Sequence, residues 1–225
     1  MNALREKADA RINNTLPVAK EGLPFMFSGT GLTLFLIWIG LSPLGVISGL
    51  MTLFIIYFFR DPERACGADK NEVLTPADGR VLDVLSLPDA DNPLAAPAVK
   101  VSVFMSVFDV HVNRIPLDGK ISRIIYHRGK FFSANLDKAS EQNENNRITL
   151  QTDDGRKIVF VQVAGLIARR IACWVREGER VKAGQRFGLI RFGSRLDVYL
   201  PADSRIITRP RDKVKAGQTI IGYLS

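Results

Sequence analysis

Val181-Lys182-Ala183-Gly184-Gln185 recurs as Val214-Lys215-Ala216-Gly217-Gln218, and each copy is followed by a glycine among apolar residues, Gly188-Leu189-Ile190 and Gly222-Tyr223-Leu224. Pro76-Ala77-Asp78-Gly79-Arg80-Val81 is echoed by Pro201-Ala202-Asp203-Ser204-Arg205-Ile206, and Asp118-Gly119-Lys120-Ile121 is a shorter echo. Each unit is a turn feeding a strand. Asp-Gly and Ala-Gly are common turn dipeptides, so the short echoes carry little weight; a five-residue identity carries more. Around these units, from Asp61 onward, short apolar runs alternate with Gly, Pro and Asp turns. They fall at 79–84, 99–108, 121–126, 148–152, 158–164 and 187–191. Such short runs, enriched in β-branched residues, read as strands. After residue 60, a helical period is suggested only over 135–143.

The class is therefore mainly β. The paired turn–strand units resemble the barrel-sandwich folds of lipoyl and biotinyl carrier domains. Arg191-Phe192-Gly193-Ser194-Arg195 lies between two apolar runs, where a hairpin turn is expected.

The N-terminal part reads differently. Residues 23–59 are 37 consecutive positions without Asp, Glu, Lys, Arg or His. As one helix they would run roughly 55 Å at ~1.5 Å per residue, against a bilayer core of about 30 Å. Ser42-Pro43 interrupts the run, flanked by Gly40 and Gly45. Two short helices are expected, at about 25–41 and 44–59, crossing a membrane as a hairpin or dipping in and returning. A buried hairpin in a soluble oligomer is the other reading of the same run. Arg5, Lys7, Arg11 and Lys20 precede it, and Arg60 and Arg64 follow, which puts both ends on the cytoplasmic side of a cell membrane. Two domains are expected: a membrane-associating hairpin at 1–60 and a β-rich domain at 61–225.

The chain carries 31 Lys and Arg against 23 acids, a net charge of +8. Residues 169–215 hold 13 basic and 5 acidic side chains. Such an excess favours anionic partners, nucleic acid or an anionic lipid surface, and the apolar run favours lipid. Cys66 and Cys173 show no metal-ligand spacing, and His111 and His127 are the only histidines, so no metal site is expected. No G-x-S-x-G elbow, P-loop or dinucleotide fingerprint occurs.

Three blocks near the C-terminus, 166–171, 177–181 and 187–194, resemble the C-terminal part of phosphatidylserine decarboxylases. Pro76-Ala77-Asp78-Gly79, the block from Phe104 through His111 to Arg114, and Gly129-Lys130-Phe131-Phe132-Ser133-Ala134-Asn135 agree in the same order. The resemblance covers nearly all of 60–225 and is to the short form of the family.

That resemblance implies a self-cleaving pyruvoyl enzyme that converts phosphatidylserine to phosphatidylethanolamine and CO2. Ser194 Oγ would add to the Gly193 carbonyl carbon, giving an ester. Elimination would leave dehydroalanine, and hydrolysis would release ammonia and leave a pyruvoyl cap. The products would be a β chain, 1–193, and an α chain, 194–225, forming a heterodimer or a higher oligomer. The pyruvoyl carbonyl, derived from Ser194, would form a Schiff base with the substrate amine and act as the electron sink. By the same resemblance Asp78 and His111 assist. The family's second histidine is Arg114 in this chain, which leaves two readings of the base: His111 does both jobs, or Asp78 acts with Arg114 as orienting partner. His111 is also the candidate proton donor to the carbanion.

Two other classes are weighed against this. A carrier module presents a modifiable Lys at a hairpin tip, and Gly193-Ser194-Arg195 offers none. A nucleic-acid module lacks interleaved aromatics and a recognisable motif, and leaves the apolar run unexplained.

Overall fold

The computed structural model describes residues 8–88, 91–129, 143–165, 171–191 and 194–225. The expected helical stretch, except its last residue, lies outside these, as do Gly193, the block 130–135 and residues 166–170.

The protein is mainly β, and its largest sheet curls into a half-barrel. That sheet runs in the order β13 (Lys213–Val214), β2 (Gly79–Leu87), β3 (Ala98–Met105), β11 (Ser194–Pro201), β7 (Lys157–Ala164), β6 (Asn145–Gln151), β5 (Gly119–His127) and β9 (Arg180–Val181). A small sheet orders β4 (Val112–Arg114), β10 (Arg186–Ile190) and β8 (Ile171–Cys173). A third orders β1 (Glu72–Leu74), β14 (Ile220–Tyr223) and β12 (Arg205–Ile206). All pairings are antiparallel.

Period-two alternation places the core. Leu196, Val198 and Leu200 of β11 face inward beside Val101 and Val103 of β3 and Ile158 and Phe160 of β7. Arg195, Asp197 and Tyr199 take the opposite face and are buried too. Arg195 satisfies its charge against Asp197 at 2.9 Å.

The Ala-Gly repeat is the hinge of an internal two-fold. Thr75-Pro76-Ala77-Asp78-Gly79 and Ile115-Pro116-Leu117-Asp118-Gly119 face each other. Leu74 N donates to Pro116 O, and Arg114 N to Pro76 O. Gly217 N bonds Thr75 O, as Gly184 N bonds Ile115 O. Asp78 Oδ1 accepts from Ala216 N at 2.8 Å, and Asp118 Oδ1 from Ala183 N at 2.7 Å. The structural twin of the Asp78 turn is thus the Asp118 turn. The Pro201-Ala202-Asp203 echo serves differently, closing the turn after β11 with Asp203 exposed.

Two expectations change. The strand at 99–108 stops at Met105 because Asp109 Oδ2 accepts from Ser106 N and Oγ, turning the chain. The expected hairpin at Gly193-Ser194 is not formed by β10 and β11. They lie in different sheets, because β10 pairs with β4 and β8 while β11 is held between β3 and β7.

The apolar run forms α1 (Leu23–Trp38) and α2 (Ser42–Phe58), with Gly40 at φ +83° in the turn between them. At ~1.5 Å per residue these are about 24 and 26 Å long. Among the described residues no helix is long and apolar enough to cross a membrane. Thr33 Oγ1 donates to Ser48 Oγ at 2.9 Å between the helices. Phe27, Leu34, Trp38, Leu50 and Leu53 are exposed, so the hairpin presents apolar surface to its surroundings. Its foot is different. Phe58 and Phe59 are buried with Val110, Val112, Trp174 and Leu189 against the small sheet. Ala19 N to Phe59 O and Asp61 N to Pro17 O tie the preceding segment to it.

Gly79 sits at φ +143°, and a Cβ there would lie 2.0 Å from Phe104 O. Gly155, at φ +91°, has open space around it. Gly155→Ala should cost about 1–2 kcal/mol, the ordinary strain of a left-handed backbone. Gly79→Ala should cost more than about 4 kcal/mol, because β2 and β3 must separate. Thermal unfolding of the two variants measures the difference; equal losses would show that the close approach does not matter.

Candidate active site

Ser194 opens β11, opposite Met105 of β3 on one side and Ala164 of β7 on the other. It shares the core-facing side with Leu196, is fully buried, and its Oγ has no hydrogen-bond partner among the described residues. Such a group costs about 1–3 kcal/mol.

His111 immediately precedes β4, where Val112 is in register with Leu189 of β10. It thus stands beside the end of β10, the strand whose continuation leads to Ser194. The neighbouring Asn113 reaches the same surroundings. Its Nδ2 lies 3.6 Å from Met105 Sδ, and its Oδ1 accepts from Gln162 Nε2 at 2.9 Å. Asn146 Nδ2 then donates to Gln162 Oε1, completing a buried amide chain between the layers. Gly188 leaves room for it, since a Cβ there would be 2.9 Å from Gln162 Nε2.

The imidazole of His111 is fully buried, its ring centroid 4.1 Å from that of Phe58 at the hairpin foot. Nδ1 is 2.9 Å from Asp109 O. A carbonyl only accepts, so Nδ1 carries the proton and Nε2 bears the lone pair. Nε2 is buried and has no partner among the described residues. Burial pushes the pKa down to about 4, with Arg60 adding in the same direction and Asp109 and Asp78 opposing. At neutral pH the ring is an uncharged base.

Asp78 is close enough for its charge to act on His111, but its oxygens are occupied. Arg64 Nη1 and Nη2 grip Oδ1 and Oδ2 at 2.5 and 2.8 Å, and Ala216 N takes Oδ1 as well. Arg114, the alternative partner in the sequence reading, goes elsewhere. It donates to Gly184 O and Pro62 O and lies 3.8 Å from Asp61. Asp78 pairs with Arg64, from the segment after α2, in place of Arg114, whose guanidinium is held by the carbonyls of Gly184 and Pro62. Phe58, Arg60 and Arg64 share one short stretch at the end of the apolar run; in the sequence they read only as its end and its flanking charges.

Gly193 lies outside the described residues. The basic segment 169–215 is not a single face: Arg186 is buried against Asp61 and Glu63, Arg195 against Asp197, and Arg180 pairs with Asp153. Arg205, Arg209, Arg211, Lys213 and Lys215 are exposed. Both cysteines are free and half-buried.

Comparison with known proteins bears on this site. The family profile of phosphatidylserine decarboxylase matches residues 51–222. A phosphatidylserine decarboxylase proenzyme of Syntrophus aciditrophicus is 48% identical over 215 residues, covering 91% of this chain and 96% of the relative. One from Desulfotalea psychrophila is 48% identical over 209 residues, covering 93% and 97%. One from Saccharopolyspora erythraea is 45% identical over 213 residues, covering 93% and 89%. With most of its length matched at this identity, the chain belongs to the phosphatidylserine decarboxylase family.

Proposed function

We propose that this enzyme decarboxylates phosphatidylserine to phosphatidylethanolamine at a membrane surface, after Ser194 has broken the chain at Gly193. The observation that carries the reading is a pair of buried, unpartnered groups at the adjoining ends of two sheets: a hydroxyl on Ser194 and a lone pair on His111 Nε2. Both groups are thus open to a reacting partner, and each is of the type that acyl transfer requires, a nucleophile and a base. Relatives named as proenzymes agree with a processing step.

In self-cleavage, His111 Nε2 takes the proton of Ser194 Oγ as the oxygen adds to the Gly193 carbonyl carbon. The Gly193–Ser194 C–N bond breaks, and the proton on His111 returns to the freed amine. The Nδ1–H bond to Asp109 O keeps the imidazole in the tautomer this requires. Asp78 acts through its charge and through the turn it clamps, since Arg64 and Ala216 occupy its oxygens. The residues fit a pyruvoyl group at position 194: the ketone carbon would come from Cα and the methyl from Cβ, and residue 194 is fully buried between Met105 and Ala164, where an uncharged group is accommodated. That group, when present, supplies a ketone for the substrate amine and a conjugated carbonyl as electron sink. His111 Nε2 can take a proton from the substrate ammonium as the amine adds, and then deliver that proton to the carbon that has lost CO2.

Cleavage need not release the smaller chain, 194–225. Its first strand, β11, is paired along its length with β3 and β7. Its later strands pair with β2 and β1. The apolar hairpin and the positive residues at both its ends support attachment to the cytoplasmic side of a cell membrane. Since the lipid leaves a bilayer at a cost of about 0.8 kcal/mol per CH2, the site must come to the lipid.

Wild-type protein should run as two chains in denaturing electrophoresis and as one species in native size-exclusion chromatography. Ser194→Ala should remain a single chain and release no CO2 from phosphatidylserine; a processed or active variant would refute the assignment.

The neutral state of His111 adds a pH signature. Its pKa is about 4 folded and near 6.5 unfolded, so below 6.5 the unfolded chain takes up the proton first. The stability from neutral His111 is complete above about pH 6.5. It is lost as pH falls toward 4, a change on the order of 3 kcal/mol. In the unprocessed Ser194→Ala background, His111→Gln should flatten this slope in urea titrations. An unchanged slope would mean that the imidazole is not buried neutral.

A further inference from the structure

The turn from Ser106 to Val110 joins the hairpin to the site through consecutive carbonyls. Asp109 O receives His111 Nδ1, while Phe108 O receives Arg60 Nη2 at 2.6 Å and Tyr57 Oη at 3.2 Å. Arg60 Nη1 donates to Tyr57 O at 2.9 Å, and its guanidinium lies 4.0 Å from the centroid of the Tyr57 ring. Two of its five N–H groups are thus used, and three remain. The group is held in place but is only half-buried.

Its neighbours are committed. Arg64 is on Asp78, Arg114 lies against Asp61, and Arg186 is on Asp61 and Glu63. Among the described residues Arg60 has no carboxylate partner; its contacts are two carbonyls and a ring. The apolar side of the same corner is formed by Phe108, which is exposed and meets Phe54 of α2 edge-on at 6.4 Å. Arg60 therefore marks the border between the apolar hairpin and His111.

We propose that Arg60 receives the phosphate of the lipid headgroup, an assignment that rests on the phosphatidylserine reading above. A diacyl phosphoserine has the matching order of parts: acyl chains along the hairpin and Phe108, phosphate at the border, and serine beyond it toward His111 and position 194. The headgroup has two anions, and their chemistry separates them. The carboxylate must shed its charge as CO2, so an arginine on it would stabilise the ground state and slow the step. The phosphate keeps its charge throughout, so an arginine there anchors the substrate without raising the barrier. The wall beside His111 is Phe58, an apolar surface suited to the group that becomes neutral.

The experiment uses processed enzyme in detergent micelles, with glycerophosphoethanolamine as the probe for binding and dihexanoyl phosphatidylserine for turnover. Arg60→Gln should weaken probe binding in calorimetry by about tenfold or more. KM should rise by a similar factor, with kcat within about threefold. Arg60→Lys, which keeps the charge but loses the fork, should fall between. In the wild type, saturating probe should protect Arg60 from phenylglyoxal, mapped by mass spectrometry, which needs no variant to fold. Probe affinity unchanged in Arg60→Gln, loss of kcat alone, or Arg60 labelling indifferent to the probe would each overturn the proposal. A wild type that binds the probe through Arg60 but releases no CO2 would uphold this assignment and overturn the decarboxylase reading instead.

Discussion

The reciprocal hydrogen bonds between the two Asp-Gly turns and the two Ala-Gly turns hold this molecule together. Asp78 takes Ala216 N while Asp118 takes Ala183 N, and each Pro carbonyl of one half accepts from a backbone N–H of the other. These bonds fix where β2 and β5 begin, and Gly79 against Phe104 O fixes how closely β2 approaches the end of β3. The row at that end contains Met105 and, opposite it, Ser194. The position of Ser194 thus follows from a turn more than a hundred residues earlier. An acid at each turn is needed only to accept an amide, a task Asp118 performs with no chemistry nearby.

Function appears where the two-fold is broken. Asp118 and Asp78 have the same backbone duty, but only Asp78 is gripped by an arginine. A buried ion pair of this kind adds little net stability, while removing one partner is costly. The residue equivalent to His111 in the other half is Asn71, which is exposed. Only the His111 half is covered by the hairpin foot, through Phe58. The helices therefore have two duties. Their outer length offers apolar surface, and their base desolvates a histidine. The hairpin foot meets His111 through the Phe58 ring and holds the turn before it through Arg60 and Tyr57.

The sequence shows the repeat because Val-Lys-Ala-Gly-Gln must be copied almost residue for residue to place a left-handed glycine after an amide donor. It shows the strands because their alternation is local. The helix break is also legible, although displaced: Pro43 is accommodated in the first turn of α2, where its missing N–H is not needed, and the turn falls at residues 39–41 instead of at Ser42-Pro43. The pairing of Asp78 is not legible. Arg64 and Arg114 are both plausible partners by type, and which of them arrives depends on how the segment after α2 crosses the small sheet. Arg114 is diverted there by the carbonyls of Gly184 and Pro62. That β10 and β11 belong to different sheets is hidden for a similar reason. A Gly-Ser pair between two strands reads as a hairpin unless each strand is known to have partners on both sides.

Those partners explain how the chain tolerates an unsatisfied hydroxyl at its centre. A serine at a frayed edge would find water, and its Oγ would be solvated and poorly placed. With β3 and β7 on either side, Ser194 has its backbone fixed and its side chain buried, and a large apolar core absorbs the cost of the missing hydrogen bond. The same pairing makes the strand independent of the covalent link before it. A bond at position 193–194 can be given up because the sheet, rather than the peptide, keeps residue 194 where it is. The arrangement that buries the serine is therefore also one that would keep residue 194 in place if the proposed cleavage occurs.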